Sequence, residues 1–311
     1  MKIFPNASKI IFKEKFIERY SKWTDFNEFR KYSLSFLRKS IRVNTLKITV
    51  EELKARLEKD WQLTPIPFCR EGFWIEGKRR DVGNLPEHVL GYIYVQEAAS
   101  MIPPVVLDPR HGEIVLDMAA APGSKTTQLA QYMNNKGLIV ANDIDPKRLR
   151  VLEMNCQRCG ATNVVRTNMH GYRTDEIKFD KILLDAPCSG IGTIRKSVKT
   201  INMWNPNMVK KIAGTQRKLI ETAFEMLKPG GEMVYSTCTL EPEENEGIVD
   251  FLLKKYPEAK VMPIKLDIKR SECILEFEGR HYDGSIKDCL RIWPQDNDTE
   301  GFFVARIGKS G

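Results

Sequence analysis

The chain has 311 residues, 42% of them hydrophobic and 29% charged, with a formal net charge of +8. That composition suits a globular protein of one large domain or two smaller ones. No apolar run approaches the roughly 18 residues of a membrane span, and Lys9, Lys13 and Lys15 interrupt any leader-like core, so a cytoplasmic protein is expected.

The charge is unevenly placed. Residues 1–50 hold twelve Lys/Arg against four Asp/Glu, which accounts for the whole excess. Such asymmetry points to a polyanionic partner. Residues 10–40 read as helical, with Phe12, Phe16, Ile17 and Tyr20 at helix spacing. Ile41–Lys47 alternates like a strand. Thr49 opens a capping box with Glu52, and Val50, Leu53, Leu57 and Trp61 mark the buried face of the helix that follows. Phe73-Trp74-Ile75, between Gly72 and Gly77, is hairpin-like. This basic α/β region closes near Gly83–Pro86, which predicts a first domain of residues 1–85.

Residues 86–311 repeat strand, turn, helix. Strands are expected at Ile114–Asp117, Gly137–Ala141 and Asn163–Arg166, in the runs Ile182–Leu184 and Met233–Tyr235, and at Gly301–Ile307. This rhythm predicts a mostly parallel, doubly wound α/β sheet, whose ligands bind at the carboxyl ends of the strands. Asp117–Thr126 joins the first strand to a helix. Its small residues let a ligand approach the backbone, and the helix amino terminus offers free N–H groups. It is neither a GxxxxGK[ST] nor a GxGxxG loop. Asp143 ends the second strand, where an acid can accept both ribose hydroxyls. These features imply a nucleoside-containing cofactor.

Seven scattered cysteines do not form a disulfide framework. Cys156 and Cys159 lie within a helical pattern and read as helix-face residues. The four histidines do not cluster, so no metal site is expected. Two other cysteines follow strand-like runs: Cys188 in Asp185-Ala186-Pro187-Cys188-Ser189-Gly190, and Cys238 in Ser236-Thr237-Cys238. Paired thiols there suit covalent chemistry on an electron-poor ring. Carbon 5 of cytosine is a poor nucleophile. A thiolate added at carbon 6 makes carbon 5 enamine-like and able to take a methyl group; a base then removes the carbon-5 proton so that the thiolate leaves. Either thiol could attack, and the Pro-Cys motif is the nucleophile's setting in DNA cytosine methyltransferases.

The segments Asp117–Thr126, Asp185–Gly190 and Ser236–Cys238, in this order, resemble the RNA (cytosine-5) methyltransferases of the Nop/Sun family. Arg42–Lys47, Arg291-Ile292-Trp293-Pro294 and Gly301-Phe302-Phe303 resemble it too, so the match runs from about residue 40 to the end. The resemblance implies a Rossmann-like, class I S-adenosylmethionine-dependent methyltransferase sheet at residues 86–311, with a smaller amino-terminal α/β RNA-binding domain. It assigns attack to Cys238 and release to Cys188. Asp185 would engage ring nitrogen 3 and also border the cofactor, with Lys125 holding Asp185 and the base. S-adenosyl-L-methionine would lie against Ala119, Ala120, Ala121, Pro122, Gly123, Ser124 and Lys125, with its ribose on Asp143 and Arg148 nearby. Two departures stand out. Asn168-Met169-His170 replaces the usual acid near the adenine, so Asn168 or His170 is expected to supply that contact. Gln295 stands where a histidine often follows the Trp-Pro pair.

The compact length resembles the archaeal members and implies tRNA as partner ahead of rRNA, with a monomer as the default. Arg42, Lys47 and the basic helices are expected on the RNA backbone, and Arg195, Lys196 and Lys199 on phosphates near the target base. Trp204 is expected in the core, with base stacking as its alternative. The different-class rival is an RNA-binding factor with a degenerate methyltransferase fold; an intact Asp185, Cys188 and Cys238 set argues against it.

Overall fold

The computed structural model describes residues 1–77, 81–170 and 177–311. Two helices open the chain, α1 (Glu14–Tyr20) and α2 (Phe26–Ser33). Then follow β1 (Ser40–Val43), α3 (Val50–Leu57), β2 (Trp61–Ile66), β3 (Cys69–Gly77), the short α4 (Pro86–Val89) and β4 (Ile93–Val95). The larger half contains α5 (Ile102–Leu107), β5 (Ile114–Asp117), α6 (Ser124–Tyr132), β6 (Leu138–Asn142), α7 (Pro146–Cys159), β7 (Val164–Thr167) and β8 (Phe179–Asp185). It continues with α8 (Lys199–Met203), α9 (Pro206–Met226), β9 (Leu227–Thr237), α10 (Glu246–Lys255) and β10 (Ala259–Met262). A small hairpin, β11 (Glu276–Phe277) and β12 (Arg280–His281), precedes β13 (Leu290–Ile292), α11 (Pro294–Asn297) and β14 (Phe302–Lys309).

The large sheet runs β10-β14-β9-β8-β5-β6-β7, with β13 paired to β14. Strands β7, β6, β5, β8 and β9 are mutually parallel, and β14 returns antiparallel to β9. Every core strand expected from the sequence is present; β10 and β13 were not anticipated. Apolar side chains alternate between the two faces. Leu116, Ile182, Leu184 and Met233 pack beneath Ile220, Phe224 and Ile248 of α9 and α10. Val115, Ile139, Leu183 and Val234 pack against Leu129 of α6 and Ile102 of α5 on the other face. Burial on both faces is the reason these strands read as continuous apolar runs.

The small sheet is antiparallel, in the order β2-β3-β1-β4, with Leu53 and Leu57 of α3 laid on Ile41, Val43, Phe73 and Ile75. The predicted capping box at Thr49 and Glu52 is formed. Trp61 begins β2 and does not extend the face of α3, because the helix ends at Leu57. The sheet takes its fourth strand from Ile93–Val95, beyond the division expected at residue 85. The first two helices also pack away from it. Phe12, Phe16, Tyr20 and Phe29 form a cluster with Ile191, Trp204, Leu240 and Trp293 of the larger half. Trp204 is therefore a core residue, 2% exposed, and its indole N–H donates to Glu241 at 2.6 Å.

Two basic residues expected on RNA are structural. Arg42 is fully buried: its guanidinium donates to Gln96 Oε1 at 2.9 Å and Thr127 Oγ1 at 2.9 Å, and also to Gln131 Oε1 and the Ser124 carbonyl. It fastens β1 to α6 and faces no solvent. Arg195 is buried too, donating to the Thr299 carbonyl at 3.1 Å and the Phe36 carbonyl at 2.8 Å, and pairing with Asp298 at 2.7 Å. Lys47 is exposed, but its ammonium donates to the carbonyls of Leu90 and Arg158 at 3.0 and 2.7 Å. Lys9, Lys15, Lys22, Arg30 and Lys39 are exposed and have no carboxylate partner among the described residues. They are the part of the amino-terminal charge left for a polyanion.

Replacing Arg42 by alanine orphans several buried acceptors at once. R42A is expected to lower unfolding stability by about 2–4 kcal/mol, read by urea denaturation. The folded fraction keeps its affinity for RNA, whereas reversing Lys15, Lys22 and Lys39 weakens that affinity without lowering stability.

Candidate active site

The parallel register aligns the carboxyl ends of three strands. Asp117 of β5 lies beside Leu183 of β8, and Asp185 of β8 lies beside Ser236 of β9. Cys188 is three residues past Asp185 and Cys238 two residues past Ser236, so both leave the sheet at the same edge. Their sulfurs are 3.3 Å apart, and both are free, half-buried thiols.

Each thiol loop is fastened from below. The Gln216 amide donates to the Pro187 carbonyl at 2.9 Å and to Glu244 at 3.0 Å, while Glu244 accepts the Ser189 N–H at 2.9 Å. The Ser189 and Thr239 hydroxyls lie 2.6 Å apart and link the two loops directly. Asn245 accepts the Thr237 hydroxyl at 2.6 Å and donates to the Thr239 carbonyl at 3.1 Å. Glu241 accepts from Arg19 and Tyr20 of α1 at 2.6 and 2.7 Å. The sequence reading assigned nothing to Glu241–Glu246. Apart from the half-buried Glu243 it is withdrawn from solvent, and it is the scaffold of the thiol pair. The aromatic period of Phe12, Phe16 and Tyr20 and the aromatic Trp204 were the available signals that its partners lay elsewhere in the chain.

Lys125, on the first turn of α6, donates to Asp185 at 2.6 Å and to the Ser100 hydroxyl at 3.3 Å. Burial opposes its charge, but the Asp185 carboxylate outweighs burial and lifts the ammonium above its ordinary value. The other Asp185 oxygen accepts the Ser236 hydroxyl at 2.7 Å. Asp185 is thus held in place with part of its edge exposed to the site. The Cys188 thiol is pushed well above its usual range, first by its hydrogen bond with Cys238 and by burial, then by the carboxylates of Glu244 and Asp185.

A second group of candidate residues begins at the β5–α6 loop. Gly123 has φ +102°, and a Cβ there would meet Leu152 Cδ1 at 2.7 Å, so this turn needs glycine. The Ala120 N–H is held by the Asn142 carbonyl at 2.8 Å. Asp143 accepts the N–H of Ala121 at 3.1 Å and of Asp145 at 3.0 Å, and pairs with Arg148 at 3.3 Å. The Arg148 guanidinium also donates to the Ala121 carbonyl. Asn168 donates its amide N–H groups to the carbonyls of Asp143 and Ile144 at 2.7 and 2.9 Å, and His170 is exposed. The sequence reading passed over Asp117. It is 1% exposed, accepts the Thr126 hydroxyl at 2.7 Å on one oxygen, and has no partner for the other among the described residues. Burial pushes its carboxyl up to about 7. Among the remaining expectations, Lys196 pairs with Glu300 at 2.9 Å and Lys199 is exposed. Gln295 donates to the Thr24 hydroxyl at 2.7 Å, which ties α11 to the turn before α2. Cys156 and Cys159 lie on the inner face of α7.

Residues 104–308 match the family model described as 16S rRNA methyltransferase RsmB/F, and residues 12–98 match the amino-terminal domain of 16S rRNA methyltransferase RsmF. The chain belongs to the RsmB/F methyltransferase family. The two family models divide it between residues 98 and 104, after β4, in keeping with the strand pairing above. The RsmB/F chain is 50% identical to the tRNA (cytosine(49)-C(5))-methyltransferase of Pyrococcus abyssi, over 95% of this chain and 96% of that one. It is 49% identical to ribosomal RNA small subunit methyltransferase F of Aliivibrio salmonicida over 88% of its own length, but spans only 58% of that relative. Among solved structures, a methyltransferase homologue from Pyrococcus horikoshii superposes with a TM-score of 0.88 at 39% identity, covering 99% of this chain and all of that one. NSun6 from the same organism, solved with SFG, an S-adenosylmethionine analogue, gives 0.83 at 26% identity, covering 97% and 99%. The large sheet is accordingly a Rossmann-like methyltransferase sheet, and methyltransferases of this family use S-adenosylmethionine.

The residues present fit that cofactor. Asp117 offers an unpartnered buried acceptor, and Asp143 keeps lone pairs for a diol after bonding its own loop.

Three buried carboxyls, Asp117, Glu244 and Glu300, are each pushed up to about 7, all primarily by burial. Their folded values exceed the unfolded ones, so they favour folding below about pH 4 and this contribution is lost as pH rises through 7. Stability in urea is expected to fall from pH 5 to pH 8, and the fall is smaller in D117N. An equally steep fall in D117N contradicts this origin.

Proposed function

We propose that the protein transfers a methyl group from S-adenosylmethionine to carbon 5 of cytosine in tRNA, through a covalent bond between Cys238 and the base. The observation that carries this reading is the thiol pair, 3.3 Å apart, at the edge where the Lys125–Asp185 pair also lies. Following the Thr-Cys pattern of the family, we assign to Cys238 the addition to carbon 6 of the ring. Cys188, whose sulfur lies 3.3 Å from that of Cys238, gives its own proton to water and as a thiolate takes the carbon-5 proton; the carbon–hydrogen electron pair re-forms the ring double bond and Cys238 leaves as a thiolate.

Asp185 presents a carboxylate to ring nitrogen 3, where a hydrogen bond or proton draws electrons from carbon 6 and promotes addition. Lys125 keeps Asp185 oriented and offers positive charge to the base. The bound cofactor supplies an electrophilic methyl group. Ala119, Ala120, Ala121, Pro122, Gly123, Ser124 and Lys125 form its cradle, Asp143 accepts the ribose hydroxyls, and Arg148 braces Asp143. Asn168, already tied to the Asp143 loop, keeps its amide oxygen for the adenine end, with His170 beside it. The target base must leave its stack for a thiol to reach its face.

Near-complete mutual coverage with a tRNA enzyme supports tRNA; the rRNA relatives are much longer than this chain. The exposed lysines and arginines of α1, α2 and the following segment are the backbone contacts we propose. In this reading the RNA-contacting region is the amino-terminal α/β part, the protein acts as a monomer in the cytoplasm, and no metal takes part. Among the described residues no helix is long and apolar enough to cross a membrane, and no group of three metal-ligating side chains is found.

The deciding assay is transfer of labelled methyl groups to unmodified tRNA and, separately, to ribosomal RNA, followed by nucleoside analysis. Labelled 5-methylcytosine in tRNA is the expected result. Label in ribosomal RNA alone moves the substrate there, and no label in either pool overturns the catalytic reading. C188A is expected to trap a protein–RNA adduct on a denaturing gel, whereas C238A forms none; the reverse pattern exchanges the two roles. D185N should lower turnover about 100-fold or more with little change in RNA affinity.

A further inference from the structure

We propose that Thr239 is a positioning residue for product release: its hydroxyl, bonded to that of Ser189, keeps Cys188 at carbon 5 of the ring while Cys238 is bonded to carbon 6. The proposal rests on the assignment of attack to Cys238 and release to Cys188.

Cys188 lies on an arch, residues 187–191, whose two feet are bonded to the segment that carries Cys238. At one foot the Ala186 N–H donates to the Ser236 carbonyl at 2.8 Å. At the other the Gly192 N–H donates to the Cys238 carbonyl at 2.9 Å, and the Gly301 N–H donates to the Gly192 carbonyl at 3.0 Å. Backbone packs directly on backbone at this second foot: a Cβ on Gly192 would lie 2.1 Å from the Gly301 oxygen and 2.8 Å from the Cys238 oxygen. The crown between the feet is less enclosed. Pro187 is exposed, and Cys188, Ser189 and Gly190 are half-buried. Gln216 and Glu244 tie the crown to α9 and to the segment before α10. Thr239 ties it to the residue next to Cys238, with the two hydroxyl oxygens 2.6 Å apart.

Thr239 is fully buried, and among the described residues Ser189 is the one hydrogen-bond partner of its hydroxyl. A buried hydroxyl has no water to take in exchange, so breaking this bond leaves it unsatisfied. The Thr239 backbone is held separately, by the Asn245 amide on its carbonyl at 3.1 Å. Removing the hydroxyl therefore frees the crown and leaves the Cys238 segment in place.

In the free protein the two sulfurs touch, 3.3 Å apart. Once Cys238 is bonded to carbon 6, that contact no longer aligns them, and Cys188 must stay at the neighbouring carbon 5. There its thiolate takes the proton, the carbon–hydrogen electron pair re-forms the ring double bond, and Cys238 leaves as a thiolate. Addition uses Cys238 and Asp185 instead, and Asp185 is oriented from elsewhere, by Lys125 at 2.6 Å and Ser236 at 2.7 Å. Loss of the Thr239 hydroxyl slows release and spares addition.

The test uses the full chain with labelled S-adenosylmethionine and unmodified tRNA. Covalent protein–RNA adduct is read on a denaturing gel and methylation by nucleoside analysis, with C188A as the reference for blocked release. T239V keeps the shape of the side chain and removes the hydroxyl. It should accumulate adduct during turnover and lower kcat about five- to tenfold, the worth of one neutral hydrogen bond. Its rate of adduct formation and its tRNA affinity without cofactor should match wild type. T239S, which keeps the hydroxyl, should turn over as wild type does. S189A, which removes the other end of the bond, should accumulate adduct too, and the double variant should be no slower than the slower single one. If T239V melts early, S189A decides alone. Turnover of T239V and S189A without accumulated adduct, where C188A accumulates it, overturns the proposal. Equal defects in T239V and T239S also overturn it, since the effect then follows volume and not the hydroxyl. Slower adduct formation in T239V does the same by placing Thr239 in addition. Absence of adduct in C188A itself is a different failure: it sinks the assignment of release to Cys188 on which the proposal stands.

Discussion

Parallel pairing of β8 with β9, with Asp185 beside Ser236, is the constraint on which the rest of the site depends. Side chains alternate along a strand, so a slip of one residue would turn Asp185 toward the opposite face and carry Cys188 away from Cys238. The register is fixed by burial on both faces, where Ile182 and Leu184 pack on one side and Leu183 on the other. The same apolar alternation that stabilises the sheet therefore brings an acid and two thiols, distant in sequence, to one edge.

Above that edge the structure is polar and buried. Glu241, Glu244, Asn245 and Glu246 are all withdrawn from solvent, and each has a defined partner: Arg19 and Tyr20, Gln216 and Ser189, Thr237, and Arg291. Buried polar groups are costly unless satisfied. A network of this kind has few alternative arrangements and holds the thiol loops more narrowly than apolar packing would. It also joins the amino-terminal helices to the chemistry. Helix α1 carries the exposed Lys15 on one side and closes over Glu241 on the other, three residues from Cys238. Ordering of these helices and ordering of the Cys238 loop are thus parts of one packing problem.

Charges near the thiol pair are matched within the protein. The pairs Lys125–Asp185 and Lys196–Glu300 leave no bare charge in the interior, which would be strongly disfavoured. Basic residues in the chain divide by role. Arg42 and Arg195 are buried struts, Lys125 and Lys196 each close on a carboxylate, and the exposed lysines near the amino terminus face solvent.

The sequence by itself determined the succession of strands along the chain, the capping box at Thr49, the turn at Gly123 and the placement of Asp185, Cys188 and Cys238 at the carboxyl ends of strands. Those features are local, or follow from hydrophobic period and from the rule that ligands bind at strand carboxyl ends. It could not place side chains whose partners are remote. Arg42 and Arg195 look like surface cations because composition records charge and not burial. Nothing in the sequence marks Glu241, Glu244 and Glu246 as buried because their partners, Arg19, Gln216 and Arg291, lie up to more than two hundred residues away. The same holds for Ile93–Val95, whose membership of the small sheet depends on pairing with β1 across fifty residues. Only the tertiary structure decided which charges are buried and which strand completes the small sheet, because each is a property of what surrounds a residue and not of the residue or its neighbours in the chain.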